Sequence, residues 1–243
     1  MNEVFGIDVS HYQGKIDWKK VADFGKKFAI LKCQYEAQSH KKDEFFEANY
    51  KGAGENGIAR GVYIYIARAS MEDPAKDAKS LLNHLQGRPL EYGIWLDLED
   101  ASVAPKGKAY INAFRAAGYY VGIYCNRDWY NRLIHAQLKE EMDFWIARYP
   151  SRDVGAYNPN SSLKPSVLQA VAWQYSSKGS VPGISGKVDL DVDYDGIVSL
   201  STGRKTNEQI AEEVMMGMWG TKNTRPTRKE LLTNAGYNYY DIQ

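Results

Sequence analysis

The stretch Gly93-Ile94-Trp95-Leu96-Asp97-Leu98-Glu99-Asp100 is an apolar strand that ends in acids. Successive side chains of a strand point to opposite faces. Asp97 and Glu99 therefore share one face, and Ile94, Leu96 and Leu98 share the other. An apolar strand ending in a same-face carboxylate pair is a buried scaffold that presents acids to a cleft. Paired carboxylates are the usual equipment for breaking glycosidic bonds, and they also occur as solvated strand ends.

Working outward, short apolar runs alternate with amphipathic ones. Strands are expected at Val4 to Val9, Phe28 to Cys33, Gly61 to Ala67, Gly93 to Leu98 and Tyr119 to Cys125. Helices are expected between them, at Trp18 to Lys27, Asp43 to Gly57, Pro74 to Gly87 and Lys106 to Gly118. This alternation predicts right-handed βαβ units and a parallel sheet. After Tyr124 the pattern loosens. Phe144 to Ala147, Val171 to Tyr175 and Lys187 to Leu190 read as strands with short or absent helices between them, and Tyr157 to Ser162 reads as loop. The fold class is α/β, an irregular eight-stranded barrel whose functional groups lie at the carboxyl ends of the strands.

Near residue 200 the character changes. Ser201 to Thr206 is a small polar linker. Asn207 to Met218, with Ile210, Val214 and Met218 at helical spacing, reads as a helix, as do Lys229 to Ala235 and Asn238 to Gln243. The expected organisation is a barrel over 1–200, a linker over 201–206 and a small three-helix bundle over 207–243.

Three strand ends carry acids. Asp8 closes the first strand, Asp97 and Glu99 the fourth, and Asp189 and Asp191 share a face of the last. First and last strands are neighbours in a closed barrel, so these acids converge on one mouth. Tyr63 and Tyr65 on the third strand, Tyr124 on the fifth, Trp145 on the sixth and Trp173 on the seventh would wall that mouth and stack on a sugar ring; each could equally fill the barrel core. Lys32, at the end of the second strand, could pair with a site carboxylate.

Bulk properties exclude several classes. The formal net charge of +1 over 243 residues gives no footprint for a nucleic-acid or membrane partner. The amino terminus lacks the pattern of a Sec-type signal, and no run approaches the ~20 apolar residues of a membrane helix. The expectation is synthesis in a cytoplasm, with any extracellular target reached by another route. Cys33 and Cys125 read as buried free thiols. His11, His40, His84 and His135 lack metal-ligand spacing, so neither a metal nor another cofactor is expected.

From about Phe5 to Ile197 the chain resembles the glycoside hydrolase family 25 lysozymes, the muramidase type common in phage endolysins. The residues that carry the resemblance are Gly6-Ile7-Asp8-Val9-Ser10-His11-Tyr12-Gln13-Gly14, Gly61-Val62-Tyr63, Trp95-Leu96-Asp97-Leu98-Glu99, Trp173-Gln174-Tyr175-Ser176 and Val188-Asp189-Leu190-Asp191. The resemblance implies a TIM-like (β/α)5β3 barrel and cleavage of the β-1,4 bond between N-acetylmuramic acid and N-acetylglucosamine. It implies Glu99 as general acid, Asp97 as the second central carboxylate, ionised, and Asp8 and Asp189 as supporting acids. Asp191 stands where the family often has Asn. Two segments depart from the family pattern, Lys32-Cys33-Gln34-Tyr35-Glu36 and Tyr63-Ile64-Tyr65, and both touch the sugar-binding wall. The tail is similar to the three-helix cell-wall-binding repeats of some phage lysozymes, with Trp219, Arg228 and Tyr237 among the matching residues. Such repeats often come in tandem; with one copy here, self-association through the tail would supply a second site. Bacterial peptidoglycan is the implied partner, reached after release through the host membrane. A sugar-binding barrel without activity and a glycosidase acting on a chitin-like polymer are the rival readings.

Overall fold

The computed structural model describes residues 3–66, 73–99, 107–133 and 136–194, and, in the tail, 211, 214–217, 219–224, 227–234 and 239–242. Eight strands close into a barrel in sequence order: β1 (Val4–Val9), β2 (Phe28–Lys32), β3 (Ala59–Tyr65), β4 (Ile94–Asp97), β5 (Val121–Asn126), β6 (Phe144–Ala147), β7 (Ala170–Gly179) and β8 (Val188–Asp193). The first seven run parallel. The last runs antiparallel to both of its neighbours, β7 and β1. The short link from Ser180 to Lys187 explains this reversal, because a parallel return needs a crossover of a dozen or more residues.

Helices α1 (Trp18–Asp23), α2 (Phe46–Glu55), α3 (Pro74–Leu85) and α4 (Gly107–Ala116) follow the first four strands. The short α5 (Arg127–Leu133) and α6 (Ala136–Glu141) lie between β5 and β6. Among the described residues, none separates β6, β7 and β8. Helix α1 stops earlier than its apolar pattern suggests. Gly25 takes a left-handed conformation at φ 96°, and the Lys26 N–H returns to the Val21 carbonyl at 3.3 Å. This glycine-capped ending satisfies carbonyls of the last turn and turns the chain into β2.

Each strand sorts its side chains into two layers. Outward residues such as Ile7, Leu31, Ile64, Leu96 and Ile123 pack under the helices in a continuous apolar core. Inward residues form a second, aromatic core of Phe28, Ile30, Tyr92, Trp95 and Trp145. Phe28 and Tyr92 stack at 4.3 Å, and Trp95 meets Trp145 edge-on at 5.9 Å. Glycines on inward positions make room for these rings. A Cβ on Gly122 would sit 2.3 Å from the Trp95 ring, and one on Gly6 would sit 2.4 Å from Phe28. Cys33 and Cys125 are buried free thiols, as expected.

The tail helices are α7 (Arg228–Asn234) and α8 (Tyr239–Ile242). Of the first expected tail helix, residues 211, 214 and 215 are helical. Leu232 and Ile242 form the centre of a small core, with Ala211, Val214, Trp219 and Tyr239 against them. The linker over 201–206 and Tyr237 lie outside the described residues.

Overpacking of a rigid aromatic layer costs ~1–3 kcal/mol. Gly122→Ala is therefore expected to destabilise the fold by about that amount in urea denaturation.

Candidate active site

The barrel mouth is a cleft of about 160 Å³ into which Asp8, Asp97, Glu99 and Asp189 all project. Strand alternation brings each of them there. Asp8 is in register with Asp189, and Gly6 with Asp191, across the antiparallel β1–β8 pair. The sequence reading placed the acids at carboxyl ends of strands. Asp189 instead stands near the amino end of β8 and reaches the same mouth because that strand is reversed. Glu99 lies two residues beyond β4, in a segment pinned by the Leu98 N–H to the Tyr124 carbonyl at 3.0 Å.

Behind the mouth, β8 carries a column of inward acids. Asp189 is nearest the cleft; Asp191 and Asp193 beneath it are buried. Asp191 accepts from Trp145 Nε1 at 3.0 Å, and Asp193 accepts from the Tyr92 hydroxyl at 3.2 Å. Asp191 does not line the cleft, which corrects its expected place on the sugar-binding wall. Its Oδ2 has no N–H or O–H donor.

Burial raises the pKa of Asp8, Asp189 and Asp191, and repulsion within the group raises Asp8 and Asp191 further. Asp8 is pushed well above the usual carboxylate range by desolvation and by Asp189 and Asp191. Asp191 is raised by desolvation and Asp189, against the opposing field of the buried Lys26. Asp189, closer to solvent, is pushed up to about 6, chiefly by desolvation.

Asp97 and Glu99 form the second group. Desolvation raises both, and the Glu99 charge raises Asp97 further, so the pair titrates as a unit. Asp97 Oδ1 is sealed without a hydrogen-bond partner. Burial and the Glu99 charge thus hold the Asp97 carboxyl above its ordinary range. Lys32 opposes that shift with a positive field on Asp97. The ammonium stands 5.6 Å from the Tyr63 ring centroid and is not itself part of the cleft lining.

Among the aromatics, Tyr63, Tyr124 and Trp145 line the cleft. Tyr65 is half-buried in register with Asp97, outside that lining. Trp173 is a correction. It is in register with Val192 on the outward face, packs with Tyr157 and Tyr175, and donates to the Arg148 carbonyl at 2.8 Å. Its neighbour Gln174 takes the inward place, in register with Asp191. Gln174 Nε2 donates to Asp8 Oδ2 at 2.6 Å, and its Oε1 accepts from the hydroxyls of Tyr124, at 2.8 Å, and Tyr149. Gln174 and Tyr149 are cleft residues to which the sequence pattern alone assigns no site role. The phase of Asp189-Leu190-Asp191, carried across the hairpin, would have found Gln174.

Residues 7–184 match glycosyl hydrolases family 25, and residues 208–243 match a CW_7 repeat. The chain belongs to glycosyl hydrolases family 25. Lysozyme M1 of Streptomyces globisporus is 30% identical to the family 25 chain over 204 residues, 76% of this chain and 66% of that protein. The autolytic lysozyme of Clostridium acetobutylicum is 29% identical over 199 residues, 79% of this chain and 56% of that protein. The family 25 chain thus spans less than two thirds of either relative. The crystal structure of a bacterial lysozyme from Streptomyces coelicolor superposes with a TM-score of 0.62 at 26% identity, covering 83% of this chain and 98% of that one.

In the tail, Arg228 Nε donates to the Gly220 carbonyl at 3.0 Å, and Trp219 packs on the small core.

A raised carboxyl pKa favours the protonated form in the folded state, so each such group stabilises the fold at low pH and loses that contribution as pH rises. For Asp189 the window runs from ~3.9, the unfolded value, up to about 6. Asp191→Asn keeps the Trp145 bond and removes one titrating group. The variant is expected to melt higher than the parent at neutral pH, with the difference shrinking as pH falls towards the ~3.9 of an unfolded Asp, in thermal denaturation read by circular dichroism.

Proposed function

We propose that this protein is a muramidase that cleaves the β-1,4 bond between N-acetylmuramic acid and N-acetylglucosamine in bacterial peptidoglycan. The observation that carries the reading is the Asp97–Glu99 pair, desolvated and brought together in the lining of a cleft with Asp8 and Asp189, in a family 25 barrel.

The chemistry follows from that pair. Glu99 lines the cleft and keeps its proton above the ordinary carboxylate range, so it serves as the acid that protonates the glycosidic oxygen. As the bond breaks, positive charge develops on the sugar. The pair carries one proton, on Glu99, and the charge on Asp97, which Lys32 favours and which then stands opposite the oxocarbenium-like centre. Asp97 acts either directly as nucleophile or by steadying an oxazolinium formed by the substrate's own N-acetyl group. Asp8 and Asp189, fixed by the β1–β8 register and by Gln174, orient the sugar in the cleft.

The CW_7 match supports a wall-binding role for the tail, where Trp219 and Arg228 build the fold of the module and Tyr237 is a candidate contact. Work as a phage endolysin, released from a host cytoplasm through a membrane lesion, and self-association through the tail belong to the same proposal. Among the described residues, no helix is long and apolar enough to cross a membrane.

Glu99→Gln is expected to lower hydrolysis of purified walls by about 10²–10⁴-fold while leaving the fold intact. Mass spectrometry of wild-type digests is expected to find muramic acid at the new reducing ends. N-acetylglucosamine at those ends, or near-parental turnover in the variant, contradicts the reading.

A further inference from the structure

A second chamber, of about 340 Å³, adjoins the catalytic cleft. The two share Glu99, Tyr124 and Tyr149, so Glu99 stands on the boundary between them. Their charges differ, because the chamber lining sets two arginines against the two acids Glu99 and Asp128, whereas among the described residues no cation lines the cleft. The cleft is walled by four carboxyls. The chamber is lined by two arginines, Arg127 at the start of α5 and Arg148 just after β6, together with Asn126.

Arg127 and Arg148 combine half-burial with the lack of an ion pair, whereas Arg115 and Arg152, which are also without one among the described residues, are exposed. Arg60 is paired with Glu91 at 2.7 Å, Arg88 with Glu47 at 2.7 Å, and Arg132 with Asp128 at 3.2 Å. Among the described residues, neither Arg127 nor Arg148 has a carboxylate within ion-pair distance. Asp128, the other acid in the chamber besides Glu99, is the one already held by Arg132. Arg148 is tethered on one side, where Nη1 donates to the Ser162 carbonyl at 3.3 Å, which leaves its remaining N–H groups for another acceptor. Both arginines are half-buried. Partial burial of a cation is unfavourable without an anion, and a planar guanidinium is matched in shape to a carboxylate.

We propose that the Arg127–Arg148 chamber binds carboxylates on the peptide-bearing part of the wall polymer and so selects substituted glycan over neutral glycan. The inference rests on the muramidase reading and adds to it a specificity site on the far side of Glu99. A carboxylate seated there pairs with both guanidinium groups and fixes the register of the chain, so that one glycosidic oxygen falls beside Glu99. Among the described residues, no cation lines the catalytic cleft to receive the same carboxylate, so the two chambers together favour a single direction of threading.

The test uses short wall glycans carrying their stem peptides, and the same glycans with free carboxyls converted to amides. Wild-type protein is expected to show a kcat/KM about tenfold higher on the carboxylate form, a difference residing in KM. Arg127→Gln, which disturbs no tether, and Arg127→Gln/Arg148→Gln are expected to bring that ratio towards one, and Arg127→Lys to retain part of it. Equal rates on the two glycans by wild type, or an unchanged ratio in the double variant, overturn the proposal and leave the muramidase reading intact. Failure of wild type to cleave either glycan removes the muramidase reading. In that event calorimetric binding of the two glycans to the Glu99→Gln protein still decides the chamber: a preference for the carboxylate form that disappears on adding Arg127→Gln supports it, and equal affinities overturn it.

Discussion

The reversed last strand is the constraint on which the site depends. Seven parallel strands leave a gap, and β8 fills it antiparallel to both neighbours. The register that results sets Asp189 opposite Asp8 and Asp191 opposite Gly6, with all the acids of β8 turned inward. A slip of one residue would turn Leu190 and Val192 into the barrel and the acids out under the helices. The register thus fixes the cleft and the charge beneath it together. Trp145 and Tyr92 secure it by donating to Asp191 and Asp193 from inside the barrel.

Packing these carboxyls together is costly, and the inner layer meets the cost by keeping protons. Five acids near the mouth have raised pKa values, with desolvation the first cause of each shift. Two cations act on them: Lys26 on Asp191 from beneath, and Lys32 on Asp97 from beside Tyr63. Full neutralisation by more cations would stabilise the barrel and lower the very pKa values that an acid catalyst needs. The glycines at Gly6 and Gly122 serve the same end, since they admit the aromatic rings that exclude water below the cleft.

Much of this was legible in the sequence, because the strands alternate strictly. The apolar runs located all eight strands, and the phase of Asp97 and Glu99 against Leu96 and Leu98 put the pair on the inner face. What failed was phase on β7 and direction on β8. Trp173 is conspicuous as a residue type, yet its alternation with Gln174 gives it the outer layer, and only the pairing with β8 reveals which of the two faces in. Direction is set by the length of the β7–β8 link. Asp191 looked like a mouth residue because it shares a face with Asp189, and strand alternation alone does not tell depth along the barrel axis. The Gln174–Tyr124–Tyr149–Asp8 network joins residues from four strand ends and has no local signature.

The central claim is that Asp97 and Glu99 act as one electrostatically linked pair whose pKa values are held up by burial. Carbon NMR of the side-chain carboxyls across a pH titration, assigned by comparison with Glu99→Gln, measures it directly. The account predicts that the pair releases its last proton well above the ~4 midpoint of exposed carboxylates, and that Glu99→Gln moves the Asp97 midpoint down by removing the neighbouring charge. Two independent midpoints near ~4, unmoved by the substitution, would contradict it.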